Sequence, residues 1–258
     1  MKMRKVNRLL ILIFLLFIPV INILSQEQVA DKFGKGVSLY SAGDYQGALT
    51  VWNDLYNTGY RSAELNYNLG NAYFKIQNIP AAILFFERAL LLDPANEDIN
   101  YNLQIARSLT VDRFQEIPEL FFIKWYDFVA LLLSSDTWAV LGIIAFFICL
   151  ASVSLYIYSS RYTSKVAGFW AGVFFLLFSI TSVSLSISNR NQVYNSGKAI
   201  IFSPAVSGKS SPDASGTDLF VLHEGTKVTI EDEVGDWYEI RLSDGNKGWI
   251  TANSLSII

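Results

Sequence analysis

Ala63-Glu-Leu-Asn-Tyr-Asn-Leu-Gly-Asn-Ala-Tyr-Phe-Lys75, with Gln77-Asn-Ile-Pro80 and Ala81-Ala-Ile-Leu-Phe-Phe-Glu-Arg-Ala-Leu90 after it, is the stretch whose reading decides the fold. It has a fainter echo 34 residues upstream: Gly36 answers Gly70, Ala48 answers Ala82 and Trp52 is answered by Phe86. Downstream, Asn100-Tyr-Asn-Leu103 repeats Asn66-Tyr-Asn-Leu69 at the same interval. Apolar residues recur at helical spacing on both sides of Gln77–Pro80, which predicts a pair of helices joined by a tight turn.

A 34-residue period of paired helices is that of the tetratricopeptide repeat, which stacks on its neighbours and has no chemistry of its own. The expected repeats cover about 29–62 and 63–96, followed by a capping helix over 97–110, within a domain spanning 26–115. Gly70 and Ala82 are expected where the paired helices touch, and Tyr73 and Phe86 between repeats. The first unit is more degenerate, with Lys35 and Leu39 where Leu and Tyr are usual. Two repeats and a cap are few for a stable array, so support from a membrane or a partner is expected. Repeat phase directs Phe33, Val37, Tyr40, Tyr67, Asn68, Asn71, Lys75, Tyr101 and Asn102 into a groove. Amides there can bond a peptide backbone in both directions, and tyrosines add apolar area with a hydroxyl. They also fit ordinary polar surface positions. Phe33 and Asp98 stand where clamping of a terminal carboxylate would need basic residues. Glu87 and Arg88 fall outside the groove and read as surface charges.

The rest of the chain is organised by charge and hydropathy. Lys2, Arg4, Lys5 and Arg8 precede an apolar run from Leu9 to Leu24, a secretory signal peptide over 1–25. An uncleaved anchor is the rival reading, and both put residue 26 outside the cytoplasm. Segments 137–158 and 166–188 carry no charge, and each can span a hydrocarbon core of about 30 Å. Between them, 159–165 holds Arg161 and Lys165 without an acid, which suits a cytoplasmic turn. Two spans return the chain outside, so both soluble parts are expected on the extracytoplasmic side of the inner (cytoplasmic) membrane. Over 116–136 the aromatic residues suit a membrane interface, or a linker packed on the repeats.

Composition excludes much. Net charge is −3, with four of 20 basic residues in the leader, so a nucleic-acid partner is not expected. One His and one Cys make a poor metal set, and no catalytic constellation or cofactor motif stands out. Beyond Arg190, five short alternating runs separated by turns predict a small β-barrel over 195–258, with Ser203–Thr217 as a long loop. In it Tyr238, Ile240 and Leu242 should face the core and Trp237 the solvent. Trp249 is expected in the core. His223 is expected to be structural, without a paired acid.

Leu222-His-Glu-Gly-Thr-Lys-Val-Thr-Ile230, Gly235-Asp-Trp-Tyr-Glu-Ile240 and Asp244-Gly-Asn-Lys-Gly-Trp-Ile250 resemble a bacterial SH3 domain. The resemblance implies that Trp237 contacts ligand, although the residues completing a polyproline groove are missing from Thr251–Leu255. The order of signal peptide, repeats, Pro118-Glu-Leu-Phe-Phe122, Leu132-Leu-Ser-Ser-Asp136, two spans and SH3 resembles the repeat-plus-SH3 members of the Bacteroides aerotolerance (Bat) family. That resemblance implies an envelope adaptor whose partners are Bat-operon membrane proteins beside a MoxR-type ATPase, in a complex linked to oxygen or stress tolerance. A peptidoglycan-associated sensor is the alternative. The fold expected is therefore a multi-domain membrane protein: tetratricopeptide repeats, two transmembrane helices and a C-terminal SH3-like β-barrel.

Overall fold

The computed structural model describes residues 27–114, 121–194 and 197–258. The expected signal peptide over 1–25 lies outside the described residues. Five helices open the described chain: α1 (27–41), α2 (Tyr45–Asn57), α3 (Ala63–Lys75), α4 (Ile79–Leu92) and α5 (Glu97–Ser108). Their ends repeat as their faces do. Asp44 and Asn78, 34 residues apart, each accept a backbone N–H three residues on and start α2 and α4. Ser62 and Asn96, again 34 apart, do the same for α3 and α5. Such caps satisfy an orphan donor of the first turn. Between the helices of each repeat the chain passes through a left-handed residue: Gly43 at φ 84° and Gln77 at φ 65°.

Packing within a repeat is small against large. A Cβ on Gly70 would lie 2.6 Å from the Phe86 ring, and one on Gly36 would overlap Trp52. Phe86 is therefore seated over Gly70 inside its own repeat. Phe86 also shares a buried cluster with Ile99, Leu103 and Ala106 of α5, so the same ring serves within its repeat and towards the next unit. Ala82 is fully buried beside it. Tyr73 does bridge repeats: its hydroxyl accepts from Asn53 Nδ2 at 3.0 Å, and its ring stacks on Phe85.

α6 (Phe121–Leu131) leads into α7 (Ser135–Tyr158) and α8 (Tyr162–Tyr194). The turn is shorter than expected, 159–161, and α8 runs past residue 188. Both helices are long and apolar enough to cross a membrane. They form an antiparallel hairpin packed through small residues, with Gly142 against Val183 and Gly168 against the backbone of Ser152 and Tyr156. Ser179 Oγ donates to the Gly142 carbonyl at 2.8 Å. Phe147, Trp170 and Phe174 point outward. Small residues inside and large apolar ones outside is the arrangement lipid favours. The α6–α7 corner is pinned to α8: Trp138 Nε1 and Asn189 Nδ2 both donate to the Ala130 carbonyl, at 3.0 and 3.1 Å. Trp125 and Phe128 on α6 stay exposed.

Seven strands follow: β1 (Lys198–Ile201), β2 (Ala205–Lys209), β3 (Asp218–His223), β4 (Lys227–Val234), β5 (Trp237–Arg241), β6 (Lys247–Thr251) and β7 (Leu255–Ile257). They form one antiparallel sheet of order β3-β2-β6-β5-β4-β1-β7. Part of the expected long loop is therefore strand: β2 pairs with β3 and touches β6. The sheet buries Ala199, Ile201, Leu222, Val228, Ile240, Leu242 and Ile250.

Candidate partner-binding site

Repeat stacking gathers the first helices of the units around a hollow of about 310 Å³ lined by Tyr40, Tyr67, Asn71, Phe74, Lys75, Phe86, Asn102 and Ile105. Five of the nine residues expected in the groove meet there. Asn68 and Tyr101 do not line it; Tyr101 is largely exposed. Phe33 packs on Trp52 in the first core rather than in the hollow, and Val37 is exposed.

Hydrogen bonds order these side chains. Asn102 Nδ2 donates to the Tyr67 hydroxyl at 3.0 Å and to Asn71 Oδ1 at 2.9 Å. Both hydrogens of that amide are then used. Asn102 Oδ1 is left as an acceptor and Asn71 Nδ2 as a donor. One amide of a peptide backbone needs that complement. Burial, with Tyr45 and Tyr67 nearby, pushes the Tyr40 phenol up, so it stays a neutral hydroxyl. Lys75 brings the positive charge.

On the sheet, Trp237 opposes Thr251 and Glu239 opposes Trp249. Directly paired residues share a face, so Trp237 and Trp249 are diagonal neighbours on the side away from Ile240 and Ile250. Both are half-buried. This corrects the placement of Trp249 in the core. Its alternation with the fully buried Ile250 carried the needed signal.

Sequence reasoning missed the joint between repeats and sheet. Ile200, Phe202 and Ile258 complete the core of α4 and α5. The array's open edge is thus covered from within the chain. Glu87 is buried between Arg107 and Lys227, the latter at 2.6 Å. Burial alone would raise the Glu87 carboxyl, but the Lys227 and Arg107 charges overcome it and hold it below the ordinary range. Burial also pushes the Lys227 ammonium down against the pull of Glu87. The carboxylate faces two cations and stays ionised at neutral pH. Arg88 donates to the Ile257 carbonyl. Glu87 and Arg88 are joint residues, not idle surface charges.

A second contact lies just beyond α5. Asp112 accepts from the His223 backbone N–H at 2.7 Å and from Thr226 Oγ1 at 2.6 Å, and its other oxygen lies 2.8 Å from His223 Nδ1. Burial would raise Asp112; these hydrogen bonds outweigh it and lower it. His223 therefore does have an acid partner, contrary to the sequence reading, from a residue 111 positions away. Gly225, at φ 85°, fits against Thr110 and Ile83, where a Cβ would come within 2.7 Å of Thr110.

Residues 63–96 match the family model described as Tetratricopeptide repeat. Residues 209–256 match the Bacterial SH3 domain. The first covers α3 and α4, and the second begins at the end of β2. No curated protein matches the chain. Both modules are typically non-catalytic interaction domains, which suits protein or peptidoglycan partners. Among the described residues no group of three His, Cys, Asp or Glu could hold a metal.

Proposed function

We propose that this chain is a non-enzymatic, membrane-anchored adaptor of the Bacteroides aerotolerance type, with both soluble parts on the extracytoplasmic side. The repeat hollow captures an extended segment of an envelope partner, and the α7–α8 hairpin holds the adaptor at the inner membrane. The observation that carries this reading is the amide pair left after Asn102 has bonded Tyr67 and Asn71: one donor and one acceptor open to the hollow. The partners expected are membrane proteins of the same operon and their MoxR-type ATPase.

Affinity capture from detergent-solubilised membranes tests it. The unmodified chain should recover specific membrane proteins, and Tyr67→Ala/Asn71→Ala should lose them. Equal recovery by the double variant would remove the hollow as the binding site.

The face carrying Trp237 and Trp249 supports a second reading, a sensor bound to peptidoglycan, since paired indoles suit stacking on sugar rings. Sedimentation with purified sacculi that depends on Trp237 would favour it.

A further inference from the structure

A separate pocket of about 280 Å³ opens between the ends of α2 and α4. Its lining does not overlap that of the groove hollow. Two guanidiniums dominate it. Arg61 lies over the Tyr56 ring at 3.4 Å and Arg88 against the same ring at 5.7 Å. Arg61 donates to the Tyr56 and Tyr60 carbonyls, and Arg88 donates to the Ile257 carbonyl. Among the described residues no carboxylate pairs with either. Two arginines held together without an acid make a site of concentrated positive charge.

The pocket also contains Asn66, which is only 1% exposed. Its Nδ2 donates to the Ser62 carbonyl at 2.9 Å. A carbonyl only accepts, so this bond orients the amide and leaves Oδ1 without a donor. A buried acceptor with no partner carries an uncompensated desolvation cost, and an arriving donor would recover it. Leu91 and Leu92 form an apolar wall beside these groups.

We infer that this pocket binds a protein segment in which an Asp or Glu sits next to a bulky apolar residue. The side-chain carboxylate pairs with Arg61 and Arg88. A backbone N–H of the segment donates to Asn66 Oδ1. The apolar neighbour covers Leu91 and Leu92. The orphan acceptor favours a peptide, which brings a backbone N–H beside the carboxylate, over a bare phosphodiester, whose own oxygens only accept. The site is distinct from the groove of the proposed function and stands whether or not that groove is used.

The test uses the full chain in detergent and fluorescence anisotropy. The probe is a labelled decapeptide with Leu-Asp-Leu at its centre and both termini blocked; its partner carries Leu-Asn-Leu. The Asp peptide should bind at least tenfold more tightly than the Asn peptide, and more weakly as salt is raised. Arg61→Gln should reduce binding at least tenfold with unchanged circular dichroism, and Tyr67→Ala/Asn71→Ala should leave it intact. Asn66→Leu should also weaken it. Absence of binding, equal binding of the two peptides, or indifference to Arg61→Gln would overturn the inference. So would retention of phosphatidylglycerol nanodiscs through Arg61 without peptide binding, which would assign the pocket to an anionic lipid headgroup.

Discussion

Gln77 adopts a backbone conformation that its counterpart Gly43 adopts without cost. A left-handed non-glycine residue is strained by about 1 kcal/mol or more, while added glycine loosens the unfolded chain by somewhat less. Gln77→Gly should therefore stabilise the protein by about 0.5 kcal/mol, read as a small rise in melting temperature in detergent. Gly70→Ala should do the opposite. Its methyl group would come within 2.6 Å of the buried Phe86 ring, at a cost of about 1–3 kcal/mol. A companion Phe86→Leu should recover part of that loss, whereas additive losses would refute the contact. The period that made these glycines legible in the sequence did not reveal what each one faces. Repeat spacing aligns equivalent positions, but the direction of the Phe86 ring depends on how the two helices cross. Five groove residues were legible for the same reason: helix phase alone turns Tyr40, Tyr67, Asn71, Lys75 and Asn102 one way. Asn66, one residue from Tyr67, gave no sign of its orphan oxygen, because that depends on the bond its amide makes to Ser62.

Among the elements, α7 and α8 were the plainest in the sequence, since an uncharged run of that length has few other homes. β2 was hidden. Its segment Ala205–Lys209 lies in a Ser-, Gly- and Pro-rich stretch whose local propensity is that of a loop, and its strand geometry comes from pairing with β3. Trp249 was misplaced because a large aromatic residue counts as core on average, while register decides the individual case. The hairpin makes a sharp prediction of its own. Gly168 lets α8 approach the backbone of α7, with the Ser152 carbonyl at 2.8 Å from where a Cβ would sit. Gly168→Val should force the helices apart and lower the detergent melting temperature, by about 1–3 kcal/mol of stability. The exposed Gly43→Ala in the repeat domain serves as a control for general damage: it should leave the hairpin's thermal transition unmoved.

At the scale of the whole molecule, three residues from the sheet part complete the α4–α5 core and an ionic joint ties the two parts, so repeats and sheet should melt together. Removing one member of a buried charge cluster is far worse than removing the cluster. Glu87→Ala leaves Lys227 and Arg107 facing each other and should cost about 3 kcal/mol; Glu87→Leu/Lys227→Met should cost clearly less. Acid should act on the same joint. Asp112 and Glu87 titrate below their ordinary values, so their contribution is complete above those values and fades as pH falls through the lowered ones. Melting temperature should be flat from neutrality to about pH 5 and drop below pH 4, and Asp112→Asn should shrink that drop. Reporter fusions after Leu109 and after Ile258 should be active outside the cytoplasm, and one at Arg161 inactive; a cytoplasmic C-terminal fusion would refute the adaptor's topology. The joint also sets a timetable. Glu87 and Lys227 are 140 residues apart, Arg88 and Ile257 169, and α7 and α8 lie between. On the proposed topology the repeats are made and exported first, and the α4–α5 edge stays bare until the hairpin is inserted and the sheet is delivered across the bilayer. On that proposal, a chain stalled before the sheet is delivered leaves the apolar α4–α5 edge without Ile200, Phe202 and Ile258, and that bare edge marks it as unfinished.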